Sequence, residues 1–141
     1  MEYIMVSACL LGVNCKYNGK NNYHEELIEY LKDKAVIPIC PEIYGGLPTP
    51  RVPSEILGKK VLNKEGLDVT DNFRRGAEES LKLAKKFNVK KAILKAKSPS
   101  CGFGNIYDGT FSDHLIPGNG ITAELFKQNG IEILTENNFI K

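Results

Sequence analysis

The sequence lacks several patterns that would each define a class of protein. It contains no run of about 20 apolar residues, so no transmembrane helix is expected. Basic and acidic residues nearly cancel, with 19 Lys and Arg against 17 Asp and Glu, so we expect no general binding of nucleic-acid backbones. Internal repeats and low-complexity tracts are also absent. These absences leave a single globular domain over residues 1–141 as the expectation.

The apolar N-terminal segment, Tyr3 to Val13, does not fit a secretion signal. It has no basic leader, Glu2 directly precedes it, and no convincing small-residue cleavage site follows. The sequence therefore predicts a cytoplasmic protein, and in that compartment its cysteines are expected to be reduced. There are four of them: Cys9, Cys15, Cys40 and Cys101.

Apolar runs alternate along the chain with stretches of helical periodicity. The runs predict strands at Tyr3–Ala8, Ala35–Ile39, Ala92–Ala96 and Ile131–Leu134. The periodic stretches predict helices at Asn22–Lys32, Thr70–Phe87 and Ile121–Lys127. This alternation favours an α/β, Rossmann-like fold with three layers, in which a mostly parallel sheet has helices on both faces.

Two further segments contain many turn-forming residues. The stretch from Pro41 to Pro53 has four prolines and two glycines, which predicts a rigid loop without regular structure. Residues Val61 to Val69 predict a hairpin around the turn Asn63–Gly66.

The positions of the cysteines carry more information than their number. Cys9 follows the first predicted strand, Cys40 ends the second, and Cys101 follows the third. The carboxyl ends of parallel strands meet at one sheet edge, which is where ligands bind, so these three thiols are expected to converge there. Converging thiolates in a reducing compartment indicate a soft metal or a cluster.

Several interpretations of these thiols remain open on the residues alone. Structural zinc usually takes four ligands with two at short spacing, and the sequence has no C-x₂-C pair. Buried cysteines can also act simply as small hydrophobic residues. An iron–sulfur cluster with three protein ligands would leave one iron open as a Lewis acid. Cys15 is either a buried thiol of the first loop or a fourth ligand.

Longer motifs resemble a known family. The segments SACLLG, CPEIYGGLPTPR, KSPSCG and YDGTF occur in this order over nearly the whole chain, and together they resemble the TudS-type thiouracil desulfurase family. The resemblance implies a [4Fe-4S] cluster bound by Cys9, Cys40 and Cys101. It also implies catalytic roles for Glu42, two residues after the second cysteine, and Ser98, three residues before the third. Asn18 departs from the family pattern, in which aspartate is more usual.

The chemistry that follows is a non-redox desulfuration of a thiolated nucleobase, from 2-thiouracil to uracil plus hydrosulfide. The substrate sulfur would bind the iron that has no protein ligand, and water would attack the adjacent carbon with Glu42 as general base. Ser98 would hydrogen-bond the ring or the water, and sulfide or a sulfur acceptor would clear the site. Arg51 either pairs with a carboxylate or binds a polar substrate edge, and Gly45 with Gly46 would let backbone approach the cluster or substrate.

Plainer roles exist for the same residues. Ser98 precedes Pro99 and suits a turn, and Glu42 suits a solvated loop. At the level of function, the rivals are a non-catalytic iron–sulfur protein that carries electrons or sulfur, and a zinc-binding module.

Overall fold

The computed structural model describes residues 2–140, and a four-stranded parallel sheet forms its centre. The strands are β1 (Tyr3–Ser7), β2 (Ala35–Ile39), β3 (Ser54–Leu57), β4 (Lys60–Asn63), β5 (Lys91–Leu94), β6 (Asn105–Tyr107), β7 (Leu115–Pro117) and β8 (Glu132–Thr135). The α-helices are α1 (Glu25–Leu31), α2 (Pro41–Tyr44), α3 (Thr70–Lys86) and α4 (Ile121–Gln128). A 3₁₀ turn, Ala8–Leu11, follows β1 directly.

The central sheet has the strand order β2-β1-β5-β8, and all three pairings are parallel. The chain moves outward from β1 to β2 in one direction and from β5 to β8 in the other, so the order reverses between β1 and β5. In an α/β sheet, the crevice outside the carboxyl ends of the strands at this reversal is the usual ligand site. β2 lies at the edge, where Pro38 is tolerated although it has no N–H to donate.

Helices cover both faces of this sheet. On one face Ala84 of α3 and Phe126 of α4 pack against Met5 and Ala92. On the other face Leu27 of α1 packs with Val6 and Ile93 in a separate apolar cluster. Because the central strands are buried on both sides, they are continuous apolar runs rather than alternating ones. The predicted three-layer α/β fold is confirmed.

Local details differ from the sequence-based predictions in three places. Residues Pro41–Tyr44 form a short helix, because a proline at the first helical position and Glu42 in the first turn suit a helix start. Helix α1 begins at Glu25 rather than at the predicted Asn22, because His24 is its cap: the N–H of Leu27 donates to Nδ1 of His24.

The predicted hairpin is displaced along the chain. The two strands are β3 and β4, and they are joined at Gly58, which has φ +63°. The expected turn at Asn63–Gly66 does form, but it leads only to an isolated antiparallel bridge between Leu62 and Asp68. Within residues 2–140, no helix is long and apolar enough to cross a bilayer.

Candidate functional site

Three cysteines lie at the carboxyl edge of the central sheet. Cys9 sits in the 3₁₀ turn after β1, Cys40 precedes α2 at the end of β2, and Cys101 lies in the loop after β5. Cys101 is buried, whereas Cys9 and Cys40 are partly exposed. All of these are free thiols. The predicted convergence of the three cysteines is thus present in the fold.

The three thiols are close enough to influence one another's ionisation. Burial raises the pKa of the Cys101 thiol, and the neighbouring Cys9 and Cys40 raise it further. Burial also raises the pKa of Cys9, although the side-chain amide of Asn22 donates to its sulfur at 3.4 Å. Neutral thiols are therefore favoured at Cys9 and Cys101 in the protein alone, and a bound metal group would be needed to hold these two as thiolates.

The spacing of the thiols bears on which metal group fits. In the part of the chain that the structure describes, no three His, Cys, Asp or Glu side chains lie close enough to hold a single metal ion. A mononuclear zinc site needs such a close set, whereas an iron–sulfur cluster takes each thiolate on a different iron. The soft sulfur donors are those that an iron–sulfur cluster takes, so the residues present fit such a group.

Cys15 lies beside this group without standing at a strand end. It is buried, and interaction with its side chain lowers the pKa of the Cys40 thiol to about 7. The carbonyl oxygen of Cys15 accepts hydrogen bonds from Sγ of Cys40 at 3.8 Å and from Nη2 of Arg51 at 2.9 Å. The residue therefore fixes the first loop against the Cys40 segment.

Glu42 and Arg51 form an ion pair at the mouth of the site. Nη2 and Nε of Arg51 lie 2.6 and 2.7 Å from Oε2 of Glu42. The side chains are 8% exposed for Arg51 and 16% for Glu42. Of the two roles considered for Arg51, pairing with a carboxylate is the one seen here. The salt bridge holds Glu42 in one position, and both of its bonds go to the same carboxylate oxygen.

Ser98 stabilises the turn that carries Cys101. Its hydroxyl oxygen accepts bonds from the backbone N–H of Ser100 at 3.1 Å and of Cys101 at 3.0 Å. This is the turn role that the position before Pro99 suggests. Because the oxygen only accepts in these bonds, its hydrogen remains available to a ligand.

A cleft of about 440 Å³ lies at this edge, and both Glu42 and Ser98 line it. Its volume is within the range of small-molecule sites. Five basic side chains and three aromatic rings also contribute, namely Lys16, Arg51, Lys64, Lys95, Lys97, Tyr17, Tyr107 and Phe111. A second cavity of about 570 Å³ lies at the opposite edge, beside the first residues of β1, β2 and β5, and is remote from the thiols.

Comparison with known proteins identifies the family. The sequence profile of the 2-thiouracil desulfurase family matches residues 4–138. The chain belongs to this family. A relative from Bacillus subtilis (strain 168), described as the uncharacterized protein YbbK, is 42% identical over an alignment 144 positions long, which covers 95% of this chain and 95% of the relative. A solved structure, the [4Fe-4S]-dependent thiouracil desulfidase TudS, matches with a TM-score of 0.93 at 41% identity. That match covers 99% of this chain and 93% of the other.

Sequence reasoning about this desulfurase family missed some residues of the site. Gly45 also has a packing role that the sequence did not suggest. A Cβ there would lie 2.0 Å from the backbone oxygen of Asn72, so Gly45 instead allows α2 to contact α3. Asn22, which donates to Cys9, and Lys95, which lines the cleft, were not singled out. The position of Lys95 at the end of β5 was the available signal, because cleft residues follow strands at this edge.

Proposed function

We propose that the protein hydrolyses the carbon–sulfur bond of a thiolated nucleobase, converting 2-thiouracil to uracil and hydrosulfide without net electron transfer. The chain is an iron–sulfur-dependent enzyme of the thiouracil desulfurase family, and its cofactor is a [4Fe-4S] cluster. One observation supports the reaction most directly. Three cysteines follow strands at one sheet edge, and the cleft at that edge is lined by their neighbours Asn22, Glu42 and Ser98.

In this proposal Cys9, Cys40 and Cys101 bind three irons of the cluster. When bound, the cluster would supply a Lewis acid, its iron without a protein ligand, which would make the carbon of a thiocarbonyl group more electrophilic. The hydrogen bond from Asn22 to Cys9 orients the first ligand. Ser98 orients the third ligand, because it fixes the backbone of Cys101.

Glu42 serves as the general base. A base must lie within hydrogen-bonding reach of the attacking water, and Glu42 lines the cleft two residues after Cys40. Arg51 binds Oε2, which leaves Oε1 as the oxygen that takes the proton from water. The Ser98 hydroxyl donates to the substrate ring or to the same water.

The same proposal extends to the domain, the cellular location and the size of the substrate. We propose a single desulfurase domain over residues 1–141, acting in the cytoplasm on a small thiolated base. Sulfide or a sulfur acceptor clears the product sulfur. The near balance of charge supports a small substrate over general binding of nucleic acid.

A non-catalytic iron–sulfur carrier would need a fourth protein ligand, and Cys15 is the available thiol. Its carbonyl oxygen accepts hydrogen bonds from Cys40 and Arg51, which supports a structural role for Cys15 instead.

The test is anaerobic reconstitution with iron and sulfide, followed by addition of 2-thiouracil and measurement of uracil and hydrosulfide. Wild-type protein should release both in equal amounts. Glu42→Gln should keep the brown cluster but lose turnover by 10²-fold or more, roughly the usual contribution of a general base. Glu26→Gln, an exposed carboxylate of α1, is the matched control and should react like wild type. Normal turnover in Glu42→Gln would refute the role of the base, and no uracil from wild type would refute the function.

A further inference from the structure

Lys95 occupies the point of the sheet where the strand order reverses. It directly follows β5, and its backbone N–H donates to the hydroxyl of Ser7, the last residue of β1, at 2.9 Å. Its side chain lines the same cleft as Glu42 and is 28% exposed. A lysine held between the two central strands at this edge faces the space where ligands of α/β folds bind.

The ammonium group of Lys95 is fixed by protein contacts. Nζ lies 2.9 Å from Oε2 of Glu136 and donates to the carbonyl oxygen of Ala96 at 3.0 Å. Glu136 comes from the segment after β8, and its other oxygen accepts from the N–H of Ala96 at 2.8 Å. The carboxylate therefore has a partner on each oxygen. A lysine ammonium has three N–H donors, so one remains for a ligand in the cleft.

This positive charge also lies near the cysteines. Lys95 lines the same cleft as Asn22, and the side-chain amide of Asn22 donates to the sulfur of Cys9 at 3.4 Å. The cleft that holds the ammonium therefore adjoins the Cys9 edge of the site. A cation at this place stabilises a reaction that develops negative charge more than it stabilises a bound neutral substrate.

The proposed hydrolysis produces an anion at this place. Water adds oxygen to the substrate carbon, one water proton goes to Glu42, and sulfur leaves with the electron pair of the broken bond and the second proton as hydrosulfide. The transition state therefore carries growing negative charge on sulfur. A preorganised cation beside that sulfur stabilises the transition state more than the neutral substrate.

We propose that Lys95 stabilises the negative charge that develops on the substrate sulfur, and that Glu136 is the residue that positions Lys95. This inference rests on the proposed function, and it adds a cation to the groups that act on the substrate. Lys95 neither gains nor loses a proton in the step. Its contact with the sulfur is electrostatic, so the same contact should hold the product hydrosulfide.

The test compares Lys95→Met, Lys95→Arg and Glu136→Gln in anaerobically reconstituted protein. Lys85→Met, an exposed lysine of α3, is the control with the same loss of charge. Two readouts are taken: kcat and KM for 2-thiouracil, and the dissociation constant of hydrosulfide from changes in visible absorption. Iron content is measured for each variant.

Lys95→Met should lower kcat by about 10²- to 10³-fold, as for the loss of one preorganised donor, with little change in KM. It should also weaken hydrosulfide binding about tenfold, while Lys95→Arg recovers most of both quantities. Glu136→Gln should also lower kcat and weaken hydrosulfide binding, but less than Lys95→Met does. Lys85→Met should match wild type in both.

Unchanged kcat and unchanged hydrosulfide affinity in Lys95→Met would overturn the inference, and so would a rise in KM alone. If Lys95→Met does not load iron, the inference is tested with Glu136→Gln and Lys95→Arg instead. A wild-type hydrosulfide affinity in Glu136→Gln then refutes the inference. The hydrosulfide measurement needs no turnover, so a wild type that binds hydrosulfide through Lys95 but forms no uracil would refute the proposed function alone.

Discussion

Replacing Arg51 by methionine removes the side chain that holds three parts of the site together. Its guanidinium reaches Oε2 of Glu42, the carbonyl oxygens of Cys15 and Pro48, and the hydroxyl of Thr49. Methionine fills similar space but donates no hydrogen bond. The substitution therefore leaves the largely buried carboxylate of Glu42 without its cation.

The size of the effect follows from the burial of the pair. Breaking a buried ion pair from one side costs about 3–5 kcal/mol, and the lower figure suits a carboxylate that keeps some contact with water. For a chain of this length the entropy of unfolding is about 0.3 kcal/mol per kelvin, so a loss of about 3 kcal/mol lowers Tm by about 10 °C. The Tm of Arg51→Lys should lie between those of wild type and Arg51→Met, because one ammonium cannot donate in all of these directions.

The assay is thermal unfolding of reduced, cluster-free protein, followed by circular dichroism, in a double-mutant cycle with Glu42→Gln. The cycle isolates the coupling between the two side chains from their separate contacts. We expect the double variant to be markedly more stable than the sum of the single effects predicts. A fall in Tm of less than about 3 °C, corresponding to roughly 1 kcal/mol, together with strictly additive effects, would refute this reasoning.

Three further predictions concern other contacts. Cys15→Ala should retain the iron content of wild type in a colorimetric assay, because the contact of Cys15 with Cys40 is made by its carbonyl oxygen and not by a thiol that binds iron. Loss of the iron would instead make Cys15 a ligand. Gly76→Ala should lower Tm through a loss of about 1–3 kcal/mol, because its Cβ would lie 1.8 Å from the backbone oxygen of Pro41; an unchanged Tm would show that α2 and α3 separate freely. The hydroxyl and N–H of Thr70 hold the pKa of Asp68 below its usual range, so its stabilising effect is present above about pH 4 and lost as pH falls through the lower folded value. Asp68→Asn should accordingly lower Tm at pH 7 but much less near pH 2, and an equal difference at both would contradict this assignment.

The sequence allowed the central layer to be predicted because its signals are local. The strands containing Met5 and Ile93 are apolar runs, and α3 repeats apolar residues such as Phe73 and Ala77 at helical spacing. The convergence of Cys9, Cys40 and Cys101 followed from topology, since each comes after a parallel strand.

Contacts between distant segments could not be predicted in this way. The side-chain partners of Arg51 and Lys95 depend on how Pro41–Tyr44 and the segment after β8 pack, and no local pattern specifies either. Short elements were also hard to place. Proline and glycine around Glu42 suggested a loop, although proline equally suits the first turn of a helix.

The central claim is that three cysteines leave one iron of the cluster free to bind the sulfur of the substrate. Mössbauer spectroscopy of protein reconstituted with ⁵⁷Fe, recorded with and without 2-thiouracil under anaerobic conditions, tests it most directly. The claim predicts that the signal of one iron site in the [4Fe-4S] cluster differs from the rest and changes when substrate is added. Four equivalent iron sites that stay unchanged while 2-thiouracil is converted to uracil would contradict it.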